Sequence, residues 1–128
     1  MVGKRGRPKG PSQTSQEGVR RVIAFLREHF DEHVSLSALA QIGSMSRCHL
    51  SRSFHGAVGI PLRSYVRRLR LQRAREMLRA SPEVLLTQVA LDAGFYDLPH
   101  LDKTFRKEFG ISPGEFRHRD VLPGIKIS

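Results

Sequence analysis

At 128 residues the chain has room for one domain of ordinary size, or two very small ones sharing a core, and none for a separate ligand-binding domain. Lysine and arginine outnumber aspartate and glutamate 22 to 12, a formal charge of +10 at pH 7. That excess suits a polyanion, although ribosomal proteins and membrane-surface peptides share it, so the distribution of charge has to decide. The single cysteine, Cys48, excludes a disulfide framework and a cysteine-based metal site. No apolar run approaches the roughly 20 residues of a bilayer span, and no signal-peptide core opens the chain. A cytosolic protein is expected.

Residues 1 to 13 are built of Gly, Pro, Lys, Arg, Ser and Gln around Lys4, Arg5, Gly6, Arg7, Pro8 and Lys9, a composition that reads as a disordered basic arm. Structure is expected from "TSQEGVRRVIAFLREHF", where Thr14 and Glu17 have capping-box spacing. Val19, Val22, Ile23, Leu26 and Phe30 share one helical stripe, which predicts a helix over about 15 to 31. Two short amphipathic segments follow, separated by a Gly-Ser break. Leu36, Leu39 and Ala40 mark the first, Leu50 and Phe54 the second, and Ser46 is placed to cap the second. Two short helices joined by a tight turn are the sequence form of a helix-turn-helix.

The next segment, 61 to 80, carries seven arginines against Glu76 alone. Pro61 suits its first turn and Ser81-Pro82 its end. Leu62, Tyr65, Val66, Leu69, Ala74, Met77 and Leu78 form the expected buried stripe, with Arg63, Arg67, Arg68, Arg70, Arg73, Arg75 and Arg79 covering the rest. From Leu62 to Arg79 this helix is about 27 Å long at about 1.5 Å per residue. The earlier pattern then returns. Shifted by 51 positions, His49, Leu50, Phe54, Gly59 and Ile60 recur as His100, Leu101, Phe105, Gly110 and Ile111. Ala90 takes the inner face of a short helix, Gly94 the break and Asp97 the cap, with one extra residue in the second turn. This is an internal repeat of one helix-turn-helix unit. The fold class is therefore all-α: about seven helices in two helix-turn-helix subdomains, 15 to 60 and 81 to 119, joined by a long basic linker helix, 61 to 80, with a tail at 120 to 128.

Outward positions on the helix after Ser46 are Arg47, Cys48, Ser51, Arg52 and His55. Arginine can pair bidentately with guanine, which makes Arg47 and Arg52 the first candidates for base reading. The helix after Asp97 holds Leu98, Pro99, Asp102, Lys103 and Arg106 there. Asp102 would repel phosphate but could accept from cytosine N4, while Leu98 and Pro99 offer only apolar contact. Residues 81 to 110 hold five acids and three cations, so weaker reading is expected of the second unit. His49 and His100 occupy equivalent positions, which favours partly buried or phosphate-facing roles over a metal site; Cys48 has no resolving cysteine for redox chemistry. No phosphate-binding glycine loop, HExxH or nucleophile with a base at interpretable spacing is present. Neither an enzyme nor a cofactor-binding protein is expected, and no metal site.

"ALDAGF" at 90 to 95, "FRKEFG" at 105 to 110, "SPGEFR" at 112 to 117 and "SYVRRLRLQRAREML" resemble the DNA-binding domain of AraC/XylS-type transcription regulators over about residues 15 to 119. The resemblance implies a bacterial, nucleoid-associated regulator that binds double-stranded DNA as a monomer. Each second helix would lie in a major groove, the family's base-reading positions falling on Cys48, Ser51 and Arg52 and on Pro99, Asp102 and Lys103. It also implies RNA polymerase as a partner. Such grooves recur on one face of a duplex about every 34 Å, a distance the linker helix is suited to set. With no room for an effector domain, control by abundance, by a partner or not at all is expected; a fragment of a longer regulator is the alternative, against which Met1 argues. Arg5-Gly6-Arg7-Pro8, flanked by Lys4 and Lys9, resembles the core of an AT-hook, which implies minor-groove contact. The rival readings are an architectural, nucleoid-type DNA binder with little sequence choice and a module that meets an acidic protein.

Overall fold

The computed structural model describes residues 13 to 121, with side chains given to residue 118. Among the described residues the chain forms seven α-helices and no strand: α1 Gln13–His29, α2 Leu36–Ile42, α3 Arg47–Val58, α4 Leu62–Ala80, α5 Leu86–Asp92, α6 Leu98–Phe109 and α7 Pro113–Val121. They divide into two compact units. One takes α1 to His29 and His33–Val66; the other takes Phe30–Glu32 and the chain from Arg67 onward. The boundary falls inside α4, because Leu71, Ala74 and Leu78 are buried in the core of the second unit.

In the first unit, Val19, Val22 and Leu26 of α1 are buried with Leu39 and Ala40 of α2 and with Leu50 and Phe54 of α3. Tyr65 meets the Phe54 ring edge-on at 5.4 Å. The α1 backbone comes so near the end of α2 that a Cβ on Gly18 would lie 2.4 Å from the Gly43 carbonyl oxygen. Two expectations need correction here. Thr14 lies within α1 and not at its cap. Phe30 lies beyond α1 and belongs to the second unit. Ser15 of α1 faces inward and is buried.

In the second unit Leu71, Ala74, Leu78, Val89, Ala90, Ala93, Phe95, Leu101, Phe105 and Phe116 form one buried cluster. Phe105 lies tilted against Phe109 at 4.6 Å and edge-on to Phe116 at 5.6 Å. Two linker arginines complete this packing: Arg75 lies over the Phe109 ring at 5.2 Å and Arg79 over Phe116 at 5.7 Å. Arg70 is half-buried and donates to two main-chain carbonyls, Nε to Phe30 at 2.7 Å and Nη2 to Glu32 at 3.1 Å. Burial pulls its pKa down, partly opposed by the charge of Asp31. Ser112 and Glu115 form a reciprocal capping box at the start of α7, each backbone N–H donating to the other side chain at 3.0 and 3.1 Å. Arg117 reaches the Val84 carbonyl.

The two turns follow the same hydrogen-bond plan. Ser44 N–H donates to the Gln41 carbonyl and Met45 N–H to that of Ala40; Gly94 and Phe95 donate likewise to Leu91 and Ala90. The left-handed residue is Gly94, φ 96°, in one turn and Ser44, φ 57°, in the other. Gly43, the more obvious conformational break in the sequence, is right-handed at φ −85°. Its missing side chain serves packing, since a Cβ there would lie 3.2 Å from Val22 Cγ2. The extra residue of the second turn is Tyr96, 77% exposed.

Candidate nucleic-acid interface

The two second helices are built alike. Ser46 accepts from the His49 N–H at 3.1 Å and Asp97 from the His100 N–H at 2.9 Å, capping α3 and α6. Left-handed Gly59 and Gly110 end them at φ 93° and 83°. Leu50 and Phe54 anchor α3, and Leu101 and Phe105 anchor α6, all four fully buried. A second anchor is polar or aromatic. Ser15 Oγ hydrogen-bonds His49 Nε2 at 3.0 Å, while His100 lies edge-on to Phe95 at 5.3 Å. These two histidines therefore brace the N-terminal turns of their helices. No group of three or more His, Cys, Asp or Glu able to hold a metal ion occurs among the described residues.

With the inner faces so used, Arg47, Cys48, Ser51, Arg52 and His55 of α3 are all exposed. Side chains that project from a capped, anchored helix with no acid among them can donate to phosphate oxygens and to base edges. On α6, Pro99, Lys103 and Arg106 are exposed, but Leu98 and Asp102 are half-buried. Leu98 packs against the core of its unit, which limits what it can offer a groove. Asp102 accepts from Arg106 Nε at 2.8 Å within the same helix. The arm residues Lys4, Arg5, Gly6, Arg7 and Lys9 lie outside the described residues.

The basic helix α4 sorts its arginines by task. Arg70, Arg75 and Arg79 are engaged with carbonyls and rings of the second unit. Arg63, Arg68 and Arg73 are exposed and form no ion pair among the described residues, which leaves them available to a polyanion. Tyr96, next to the Asp97 cap and highly exposed, joins the candidate surface. The residue count of the second turn marked that position; only the fold shows its ring directed to solvent. No described helix is long and apolar enough to cross a membrane.

Comparison with known proteins agrees with this geometry. A family model described as a helix-turn-helix domain matches residues 39–119. The HTH-type transcriptional activator RhaS of Escherichia fergusonii is 39% identical over 99 residues, 77% of this chain and 35% of that protein. RhaS of Salmonella arizonae is 37% identical over 106 residues, 82% of this chain and 38% of that one. The chain thus spans little more than a third of the length of these curated relatives. Among solved structures, a transcriptional regulator with an AraC-type DNA-binding domain from Chromobacterium violaceum superposes with a TM-score of 0.75 at 30% identity, covering 88% of this chain and all of that one. The DNA-binding domain of AdpA, a global transcriptional factor solved in complex with a target DNA, superposes with a TM-score of 0.75 at 28% identity, covering 79% of this chain and 90% of that one. The chain belongs to the AraC-type helix-turn-helix family of transcription regulators.

Proposed function

We propose that the chain is a sequence-specific regulator that binds double-stranded DNA with α3 and α6 as major-groove reading helices. The observation that carries this reading is the repeated construction of those helices, each capped, braced and presenting its polar face outward. Arg52 is the principal base reader and Arg47 meets base or phosphate. On α6, Lys103 contributes mainly phosphate contact. Tyr96 adds a neutral donor at the leading edge of that helix. The arm, with Arg5 and Arg7 on either side of Gly6, contacts an adjacent minor groove. Monomeric binding, action on RNA polymerase and location in the bacterial nucleoid belong to the same proposal and rest on the family resemblance; a positive effect on transcription rests on the RhaS relatives.

The test is binding to a randomised duplex library at two salt concentrations. A specificity ratio of about 10³ or more that survives the higher salt supports the regulator. A ratio near unity would leave the architectural binder, which the charge of +10 alone would allow. For the arm, replacing Arg5 and Arg7 with Ala is expected to weaken binding most at A·T-rich flanks and to lower the salt slope by about 1 to 2. Equal losses at G·C-rich flanks would reduce the arm to a charge effect.

A further inference from the structure

The second reading helix neutralises one of its own cations. Asp102 and Arg106 stand four residues apart on α6, acid toward the N-terminus, which is the favourable orientation for an intrahelical pair. Arg106 Nε donates to Asp102 Oδ2 at 2.8 Å. The two partners are unequal in freedom. Asp102 is the shorter side chain, 40% exposed, while the Arg106 side chain is 57% exposed. Asp102 is thus the fixed member and Arg106 the captured one. At the equivalent positions α3 carries Ser51 and His55, so the first reading helix has no such pair.

A guanidinium that already holds a carboxylate oxygen must break that bond to meet a phosphate, and the freed carboxylate then repels the same phosphate. We propose that Asp102 is a positioning residue that limits the chain's sequence-independent affinity by keeping Arg106 off the DNA backbone. The pair removes one cation from the attraction that every duplex offers equally, while Lys103 and the first unit retain theirs. Every duplex, cognate or not, is held less tightly as a result, and a larger share of the binding free energy is left to base contacts. This inference rests on the proposed DNA-binding function and adds how the second helix contributes to it.

A double-mutant cycle separates capture from simple repulsion. The full chain, Asp102→Asn, Arg106→Gln and the double variant are titrated with a duplex selected by the wild-type chain and with a scrambled duplex, over a series of salt concentrations. Asp102→Asn is expected to raise affinity for both duplexes alike, about five- to tenfold near 0.1 M salt, and to steepen the salt slope by about 0.9, the release of one further counterion. The ratio between the two duplexes stays unchanged. Arg106→Gln alone leaves Asp102 uncompensated and weakens both duplexes, and in the double variant both effects vanish and the wild-type slope returns. A gain that persists without Arg106 would mean that Asp102 acts by its own charge, and overturns the proposal. So would a slope of the double variant below that of the wild-type chain, which would place Arg106 on phosphate already, or a selective loss at the cognate duplex from Asp102→Asn, which would make Asp102 a direct reader. In the free chain, the Arg106 Nε–H proton resonance should shift and exchange faster in Asp102→Asn; an unchanged resonance also overturns the pair. Wild-type protein that shows no preference between the two duplexes would instead sink the functional reading itself.

Discussion

Helices α3 and α6 share their caps, their buried anchors and their left-handed glycine ends, yet their outer faces differ. The first presents two arginines and no acid; the second has three cations against two acids, one of them bound to Arg106. The same divergence runs through the preceding helices. Ser35 caps α2 by accepting from the Ala38 N–H at 3.0 Å, whereas Leu85, 73% exposed, stands at the start of α5 with no side-chain cap. Inward positions of the repeat are held by packing, where a change of one methylene is felt. Outward positions are constrained only by what they meet, so the units can keep one scaffold and differ in chemistry.

That comparison can be broken first at the anchors. Phe54→Ala and Phe105→Ala should each cost about 3 to 5 kcal/mol, measured by urea unfolding of the whole chain. Both rings are fully buried, and a loss below about 1 kcal/mol in either would show that the two cores are not equivalent. The turns should then respond in opposite directions. Gly94→Ala places a Cβ 2.7 Å from Asp31 Cα and 2.9 Å from the Phe30 oxygen at positive φ, and should destabilise by roughly 2 to 3 kcal/mol. Ser44→Gly relieves a left-handed serine and should fall within about 1 kcal/mol of neutral, on the stabilising side. Thermal melts of the two variants that moved the same way would contradict this difference.

Binding sharpens the contrast on the outer faces. Arg52→Ala should lose about 1 to 3 kcal/mol of discrimination at one base position, while Lys103→Ala should weaken all sequences alike and lower the salt slope by about 0.9. Equal, base-independent losses from both would show that the readers are assigned wrongly. The smallest effect lies at the helix starts. Leu85→Ser should install the cap that α2 already has and raise stability by about 0.5 to 1 kcal/mol, and Ser35→Ala should remove a similar amount. No gain from Leu85→Ser would mean that the exposed leucine is used elsewhere.

Much of this architecture is legible one segment at a time. Ser46 and Asp97 cap because a short oxygen-bearing side chain before an apolar pair has that use locally. Leu50 with Phe54 and Leu101 with Phe105 are inward because residues four apart share a helix face. The Asp102–Arg106 pair has the same spacing and is legible from the sequence alone. Thr14 has capping-box spacing with Glu17 but lies within α1, where Ser15 and Val19 are the residues that face the interior. Leu36 has the right spacing for the core and is nevertheless 38% exposed at the first position of its helix. Leu71 escaped the stripe read along α4, since that helix crosses from one unit to the other and no single stripe serves both.

The sequence by itself determined the helical class, the duplicated unit, the caps and the candidate reading positions, because periodicity and turn chemistry act within a few residues of the chain. Tertiary structure decided that Ser44 and not Gly43 turns left-handed, that Arg70 ties down Phe30 and Glu32, and that Arg75 and Arg79 cover aromatic rings. A charged side chain on a helix is free or engaged according to what distant segments bring beside it, and no local pattern records those neighbours.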